Sequence, residues 1–243
     1  MTTNRRLPHT ATSTRKMSIR KFQFRLLGWF GSHGRDFVWR KHQATLYHKV
    51  IAEILLQRTR ADVVGRFLPQ FLLRFPSWTK LALASEEDLG QYLHPLGLWR
   101  RRAASLKKLA AEMAPRNGYF PQTRVEIELL PGVGQYIANA IMLFCHGAAE
   151  PLLDVNMARV LERYFGPRTL VDIRYDPYLQ NLAHAVLTAT DAVSMNWAIL
   201  DLAALVCTSR QPRCGDCPLT SNCLHGRSVL SRNRKATRVP VTV

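Results

Sequence analysis

Apolar residues recur at intervals of three and four along most of the chain, which is the period of an amphipathic helix. The pattern is clear in eight segments: Phe22–Phe30, Val50–Leu55, Phe67–Phe75, Leu106–Met113, Ile137–Phe144, Val155–Phe165, Tyr178–Thr190 and Asn196–Val206. No stretch alternates between apolar and polar residues in the way that predicts a strand. The chain is therefore predicted to be all-α.

Short runs of turn-forming residues separate these segments, among them Pro95-Leu96-Gly97 and Arg116-Asn117-Gly118. Residues 1–17 and 227–243 are polar and lack periodicity, so both ends are predicted to be disordered tails. At 243 residues with 47% hydrophobic content, the rest can fold as one large domain or two small ones. No apolar run approaches the roughly 20 residues that cross a bilayer, and no signal peptide is recognisable, so we expect a soluble protein.

The charge is strongly basic and concentrated at the two ends. The 34 Lys and Arg residues exceed the 17 Asp and Glu residues by 17. Eight basic residues lie in residues 1–35 and five in residues 217–243, and neither range contains an acid. A polyanion is the natural partner of such a chain, and nucleic acid is the commonest one. Solvated tails without a partner would show the same charge, so both interpretations stay open here.

Four of the five cysteines lie close together near the C-terminus. Cys207, Cys214, Cys217 and Cys223 have the spacing C-x6-C-x2-C-x5-C, whereas Cys145 lies far away in an apolar run. A chain of this length needs no disulfide framework, so the four thiols are predicted to bind a soft metal centre in a reducing cytoplasm. Zinc sites more often show two short cysteine pairs, whereas one short pair with a single cysteine on either side favours an iron–sulfur cluster. Spacing alone leaves both metals open.

The segment Leu129-Leu130-Pro131-Gly132-Val133-Gly134-Gln135-Tyr136-Ile137-Ala138 lies between two helical stretches. Its glycines let the backbone turn tightly and present N–H groups at the start of the next helix, where the helix dipole favours a phosphate. An ordinary turn between helices also contains such glycines. The flanking apolar residues and the small Ala138 favour a helix–hairpin–helix that grips a DNA phosphate, with contacts from Gly132, Val133, Gly134 and Gln135.

The hairpin, the acidic residue twenty positions after Gly134 in Leu152-Leu153-Asp154-Val155-Asn156, and the four-cysteine loop together resemble the helix–hairpin–helix DNA glycosylase superfamily. The resemblance extends from about Phe22 to Cys223. It is to the iron–sulfur branch, which contains endonuclease III, the MutY-type adenine glycosylases and the archaeal-type G:T mismatch glycosylases. It implies two helical lobes with a DNA cleft between them, and a [4Fe-4S] cluster held by the four clustered cysteines.

On this resemblance, residues 44–150 are expected to form a six-helix lobe with the hairpin. Residues 18–43 plus 151–226 are expected to form the lobe that carries the iron–sulfur cluster loop, with residues 1–17 and 227–243 as basic tails. The implied partner is double-stranded DNA that contains a mismatch or a lesion. We expect a monomer that acts at the nucleoid in a prokaryotic cytoplasm, without a membrane.

Hydrolysis of an N-glycosidic bond needs a proton or hydrogen bond for the departing base, and help for water that attacks a sugar with oxocarbenium character. Glu53 lies in an apolar helical stretch, where burial would favour a general acid, but the pattern alone favours a glutamate on the polar face of an amphipathic helix. Asp154 precedes a predicted helix and also suits an N-cap. The resemblance makes Glu53 the acid and Asp154 the carboxylate that faces the positive charge on the sugar.

Tyr136 distinguishes between two kinds of glycosylase. In the endonuclease III type, a lysine at this hairpin position attacks the sugar and forms a Schiff base that leads to strand cleavage. A tyrosine cannot form that imine, so the resemblance implies a monofunctional glycosylase that leaves an intact abasic site. Packing of the hairpin is the alternative role for this side chain.

The resemblance is strongest to the G:T mismatch glycosylases, which share the tyrosine and a chain that ends soon after the cluster. MutY-type enzymes tend to have a serine there and usually an additional C-terminal domain. We therefore expect removal of thymine or uracil opposite guanine. The alternatives are an adenine or modified-base glycosylase with the same acids, and a DNA-binding module without activity, against which Glu53 and Asp154 argue.

A target base must leave the stack before the acids can reach it, and a side chain must fill the gap. Gln57 and Arg58, one helical turn after Glu53, are candidates for this wedge, as are Leu98 and Trp99. Arg100 and the two arginines after it are candidates for contacts with phosphates beside the lesion. A solvated basic face, and a core position for Trp99, are the simpler interpretations of the same residues.

Overall fold

The computed structural model describes residues 9–236, and within that range it contains α-helices, two 3₁₀ turns and no strand. The prediction of an all-α fold is confirmed. The helices form two compact units, one of Asp36–Glu150 and one of Met1–Arg35 with Pro151–Val243. In the part of the chain that the structure describes, none of the helices has both the length and the apolar character needed to cross a membrane.

The two ends of the chain together form one of the units. Its helices are α1 (His9–His33), α9 (Val155–Phe165), α10 (Pro177–Leu187), α11 (Ala192–Leu205) and α12 (Leu224–Ala236). Phe22 of α1 is fully buried and meets the ring of Tyr164 edge to face, with 5.0 Å between the ring centres. The backbone N–H and the guanidinium Nε of Arg35 both donate to the buried carboxylate of Asp201, each at 2.8 Å. These contacts join α1 to helices that follow it far along the chain.

The prediction of disordered tails is wrong for residues 9–17 and 227–236, because α1 begins at His9 and α12 ends at Ala236. Each segment continues a helix whose other end packs against neighbouring helices. Extending such a helix by one residue costs much less free energy than starting a new one, so polar residues without periodicity can still be helical. Residues 1–8 and 237–243, the rest of the two predicted tails, lie outside the described residues.

The unit of Asp36–Glu150 contains seven α-helices within the described range, where we predicted six. The two shortest helices are those that sequence periodicity reveals least, and side-chain caps mark where they start: Ser77 accepts from the N–H of Lys80, and Thr123 forms a capping box with Glu126. The seven are α2 (Leu46–Leu56), α3 (Ala61–Arg74), α4 (Trp78–Leu83), α5 (Glu86–Leu93), α6 (Trp99–Met113), α7 (Arg124–Glu128) and α8 (Gln135–His146), with 3₁₀ turns at Val38–Arg40 and His94–Leu96.

This unit begins at Asp36 and not at residue 44, as we predicted. Trp39 is the reason for the earlier start, because its side chain is buried in the core that α2 and its neighbours form. Phe37 stacks on Trp39 with 4.3 Å between the ring centres and packs against the same core. Burial of two aromatic rings gives residues 36–43 enough contact to belong with the helices that follow them.

The helix α2 is buried along nearly all of its length, from Tyr47 to Leu55. It begins at Thr45, whose side chain accepts a hydrogen bond from the N–H of His48. The helix α8 packs against it. From Val50 to Leu55 the side chains are therefore buried on every face of the helix, and that includes the carboxyl group of Glu53.

Candidate active site

The side chains of Glu53 and Tyr136 contact each other within the Asp36–Glu150 unit. Glu53 lies in the last turn of α2, and only 2% of its surface is exposed. Tyr136 lies in the first turn of α8, and its hydroxyl donates a hydrogen bond of 2.8 Å to Oε2 of Glu53. Glu53 is therefore not on a polar helix face, and Tyr136 does more than pack the hairpin. A buried carboxyl group with a phenol at one oxygen is suited to proton transfer at the other.

The predicted hairpin lies between α7 and α8. Gly132 has φ of 76°, a left-handed conformation that favours glycine, and a Cβ added there would come within 3.1 Å of Cβ of Ser105 in α6. Gly134 is the N-cap of α8 and has no side chain that could cover the first turn. A Cβ added there would meet open space, so no neighbouring segment covers this turn either. The helix start is thus accessible to an anion, and the half-buried Gln135 is its first helical residue.

Val133 is buried, whereas the two glycines beside it are exposed. Its side chain is buried, with 8% of its surface exposed, and its N–H donates to the carbonyl oxygen of Leu130 at 3.1 Å. Leu130 is buried in the same core. Val133 therefore stabilises the shape of the turn from inside, and its predicted contact with DNA has no free N–H or exposed side chain to support it.

The turn after α2 carries the exposed side chains of Gln57 and Arg58. Arg58 has φ of 58°, a left-handed conformation that is unfavourable for a residue with a Cβ. The buried guanidinium of Arg102 holds this turn, because it donates to the carbonyl oxygens of Leu55 at 2.8 Å and Gln57 at 2.5 Å and to Oγ1 of Thr59 at 2.7 Å. Burial lowers the pKa of Arg102. Arg102 therefore faces the protein interior, and the interpretation of it as a phosphate contact is wrong.

The start of α6 carries the other wedge candidates. Leu98 is half exposed, at 51% of its surface, and has φ of 50°. Trp99 is half-buried and packs against the core, where a Cβ on Gly90 would come within 3.0 Å of its ring. Arg100 is exposed, with its guanidinium carbon 4.5 Å from the centre of the Trp99 ring. Trp99 thus has a packing position at the edge of the core, while Leu98 and Arg100 are accessible from solvent.

Asp154 lies in the other unit, where it is the N-cap of α9, as the sequence predicted. Its Oδ1 accepts hydrogen bonds from the N–H groups of Asn156 at 2.9 Å and Met157 at 2.8 Å. Its Oδ2 accepts from the side-chain amide of Asn156 at 2.6 Å. Three N–H donors therefore hold this side chain in one orientation at the helix start. The helix start thus fixes the direction of a negative charge.

A chain of hydrogen bonds leads from Asp154 to the cysteine loop. Oδ1 of Asn156 accepts from Nη1 of Arg159 at 3.1 Å, and Nε of Arg159 donates to the carbonyl oxygen of Cys207 at 2.9 Å. Sequence reasoning did not single out Asn156 or Arg159. Their spacing was the available signal, since residues two and five positions after an N-cap lie on the first turns of the helix that it starts.

The four clustered cysteines are half-buried in and beside the loop between α11 and α12, and all are free thiols. Burial raises the pKa of Cys214, of Cys223 and of Cys217, the last to about 11. Neighbouring cysteines of the same group add to each rise. The loop thus gathers the set of thiols that spacing predicted.

Two donors are directed at sulfur in this loop. Nη1 of Arg163 donates to Sγ of Cys207 at 3.4 Å, and the N–H of Gly226 donates to Sγ of Cys223 at 3.3 Å. Such donors stabilise thiolates, the form that binds metals. Within residues 9–236, however, no group of three or more His, Cys, Asp or Glu side chains is arranged to hold a metal ion.

Comparison with known proteins agrees with these features. The family model "HhH-GPD superfamily base excision DNA repair protein" matches residues 51–175. A thymine-DNA glycosylase of Aeropyrum pernix is 35% identical over 86% of this chain and 96% of its own length, and a thymine/uracil-DNA glycosylase of Pyrobaculum aerophilum is 37% identical over 86% and 92%. Adenine DNA glycosylases also match, at lower identity.

A solved structure of a thermostable thymine-DNA glycosylase superposes with a TM-score of 0.79 at 28% identity, covering 88% of this chain and 99% of that one. The family match includes the hairpin, Glu53, Tyr136 and Asp154, and the relatives align over most of their own length. The chain therefore belongs to the HhH-GPD superfamily of base excision DNA repair proteins.

Proposed function

We propose that this DNA glycosylase removes thymine or uracil opposite guanine, by hydrolysis that leaves the DNA strand intact. The hydrogen bond from Tyr136 to Glu53 carries the proposal. Strand cleavage would require an amine nucleophile at the position of Tyr136, and a phenol that donates to a buried acid lies there instead. The relatives named for thymine and uracil support the choice of base.

Glu53 serves as the acid in this proposal. The hydroxyl of Tyr136 holds the carboxyl group through Oε2, and Glu53 in its neutral form can donate its proton to a carbonyl oxygen of the departing base. As the bond between C1′ and N1 breaks, its electron pair leaves with the base. A hydrogen bond from the acid stabilises the charge that develops there.

Asp154 acts on the sugar. Loss of the base leaves positive charge on C1′ and the ring oxygen, and a fixed carboxylate stabilises that charge. The three N–H donors that hold Asp154 support this role, because a preorganised charge does not have to reorient during the reaction. Water then adds to C1′, and its proton replaces the one that Glu53 gave to the base, so that an abasic sugar, a free base and a neutral acid result.

The hairpin and the cysteine loop serve to hold the DNA and the fold. The exposed start of α8 after Gly134 is proposed to bind a backbone phosphate. Cys207, Cys214, Cys217 and Cys223 are proposed to hold a [4Fe-4S] cluster, which stabilises the loop and takes no part in hydrolysis. The donors at Cys207 and Cys223 support that assignment.

A panel of duplexes tests the function. Duplexes with G:T, G:U, A:G or A opposite oxidised guanine are incubated with the protein. Each sample is then divided into one half that is treated with hot alkali and one half that is not. Release of thymine and uracil, with strand breaks only after alkali, is the expected result. Release of adenine would support the alternative adenine glycosylase and overturn the proposal. Breaks before alkali would overturn the monofunctional mechanism, and binding without any release would indicate a DNA-binding module.

Asp154→Asn separates the chemical role of this residue from its role as a cap. Asparagine is also a good N-cap, so α9 should stay intact while base release falls by about a hundredfold or more because the negative charge is lost. Asp191→Asn is the matched control, since Asp191 caps α11 of the same unit by accepting from the N–H of Val193 at 3.0 Å. Single-turnover assays and DNA-binding titrations measure both variants. Undiminished release by Asp154→Asn would refute its assignment.

A further inference from the structure

Two exposed, left-handed turns of the Asp36–Glu150 unit carry wedge candidates. One follows α2 and contains Gln57 and Arg58, with φ of 58° at Arg58. The other precedes α6 and contains Leu98, with φ of 50°. A residue with a Cβ adopts this conformation only when its surroundings impose it. Something must therefore hold both turns against their preference for other conformations.

Arg102 contacts both of these turns. Its backbone N–H donates to the carbonyl oxygen of Leu98 at 3.0 Å, within the first turn of α6. Its side chain bonds to the turn after α2 through the carbonyl oxygens of Leu55 and Gln57 and the hydroxyl of Thr59. One residue thus fixes where two separate segments of the chain lie relative to each other.

We propose that Arg102 is a positioning residue for base flipping. It holds the turns of Gln57–Arg58 and Leu98 in the conformation in which their side chains can insert into a mismatched base pair. The inference deepens the proposed function and rests on it for the identity of the mismatch. Arg102 itself touches no DNA in this scheme, because its side chain is 7% exposed and turned toward the protein. It acts through the loops that it holds.

The chemistry of the guanidinium suits this task. A planar group with five fixed N–H donors can bond to three acceptors at once, whereas the ammonium of lysine is a compact donor on a flexible stem. The carbonyl oxygens of Leu55 and Gln57 lie at and just beyond the C-terminal end of α2, where a cation is favourable to the helix dipole. Removal of the side chain would leave those oxygens without this donor and free the turn to relax.

Lys107 provides a matched control on the same helix. Its Nζ donates to the carbonyl oxygens of Ala82 and Ala84 at the end of α4, so it also joins α6 to the end of another helix. Neither of these residues lies in a turn with a wedge candidate. Lys107→Met therefore removes a half-buried cation from the same helix and should affect folding stability without affecting base flipping.

The experiment uses a G:T duplex in which 2′-fluorination of the thymidine prevents cleavage and 2-aminopurine lies beside the thymine. Base flipping unstacks the 2-aminopurine and raises its fluorescence. We compare the full-length protein with Arg102→Met, Arg102→Lys and Lys107→Met, at protein concentrations that saturate the duplex. We expect the increase in 2-aminopurine fluorescence to be much smaller for Arg102→Met than for the wild type, and moderately smaller for Arg102→Lys. For Lys107→Met it should equal that of the wild type.

Two further measurements exclude a general structural effect. Hydrogen exchange of the amides of residues 55–60 should become faster in Arg102→Met, with the rest of α2 unchanged. Thymine release from the G:T duplex should fall by about tenfold to a hundredfold, since misplacement of about 1 Å has effects of that size. Uracil release from a single strand, which has no partner base to displace, should change by less than about threefold. If Arg102→Met fails to fold, Thr59→Ala removes one of the three acceptors instead.

The outcomes separate this inference from the proposed function. An unchanged fluorescence rise in Arg102→Met, or equal losses in Arg102→Met and Lys107→Met, would overturn the role of Arg102. Equal losses of release from duplex and single strand would also overturn it. If the wild-type protein releases no base at all, the proposed function fails, and the fluorescence of the uncleavable duplex still decides whether Arg102 positions the turns.

Discussion

The hydroxyl of Tyr136 donates a hydrogen bond to one of the two oxygens of Glu53. A carboxyl group in water exchanges its proton between two equivalent oxygens, whereas a donor fixed at Oε2 makes the two oxygens different. The same side chain lies in the first turn of α8, so the hairpin and the acid are joined by one hydrogen bond. In the proposed mechanism, a single residue thus links the acid to the helix start that binds a phosphate.

Tyr136→Phe tests this link. The ring and its packing are kept, while the hydrogen bond that holds the carboxyl group of Glu53 is lost. We expect base release to fall by about tenfold to a hundredfold, which is the usual contribution of a positioned proton donor, with little change in the temperature of unfolding. Single-turnover release of thymine from a G:T duplex, together with thermal unfolding followed by circular dichroism, measures both effects.

Tyr47→Phe is the control for Tyr136→Phe. The hydroxyl of Tyr47 is buried in the same unit and donates to the carbonyl oxygen of Phe75 at 2.6 Å. Its loss should lower stability by about 1 kcal/mol without slowing base release by folded protein. If the two variants lose activity equally, the hydroxyl of Tyr136 has a structural role only.

At the scale of elements, the segment between α9 and α10 depends on one buried carboxylate. Asp176 is the N-cap of α10, where Oδ1 accepts from the N–H of Leu179. Its Oδ2 accepts from the N–H and the hydroxyl of Thr169 and from the N–H of Leu170. Burial would raise the pKa of Asp176, but these hydrogen bonds outweigh it and hold the pKa well below its usual range.

A depressed pKa in the folded state predicts how stability depends on pH. Asp176 should contribute stability above about pH 4, the range in which an unfolded aspartate is ionised, and lose that contribution as the pH falls. Asp176→Asn should therefore unfold at a lower temperature than the wild type at pH 7, and the difference should shrink below pH 4. Thermal unfolding between pH 7 and pH 2.5 measures it.

Asp172→Asn is the matched control within the same segment. Hydrogen bonds from Arg174 lower the pKa of Asp172 to about 2, but this pair is exposed to solvent. Solvent screens such pairs, so the substitution should change the unfolding temperature much less. A difference between wild type and Asp176→Asn that is the same at every pH would show that the ionised form of Asp176 has no special role.

The cysteine loop gives a prediction at the same scale. The protein purified without oxygen should be yellow-brown, absorb broadly near about 400 nm and contain about four iron atoms per chain. Cys223→Ser should lower the iron content, because one of the four ligands is lost. Cys145→Ser is the control, since burial in α8 raises the pKa of this thiol to about 12 and it lies outside the loop. A colourless protein with one zinc per chain would refute the cluster.

At the scale of the molecule, the sequence predicted what depends on periodicity and spacing. Helices such as α9 show a full apolar face, so Val155–Phe165 was predicted with the bounds that the structure has. The short helix α4 is too brief to show a period, and only its cap at Ser77 marked its start. Arg102 illustrates the limit for the site, because exposed and buried arginines look the same in a basic run. Which of them turns inward depends on tertiary contacts with the turn after α2.

The net charge of +17 leads to a prediction for the whole molecule. Contacts with phosphates release counterions, so the association constant for any duplex should fall steeply with salt, by about a thousandfold between 50 and 200 mM if six phosphates are contacted. Contacts with a flipped base release none. Salt should therefore weaken binding to an uncleavable G:T duplex and to a matched duplex in parallel, which leaves their ratio nearly constant. Fluorescence anisotropy across a salt series measures both, and a ratio that collapses with salt would mean that charge, and not the base pocket, discriminates the mismatch.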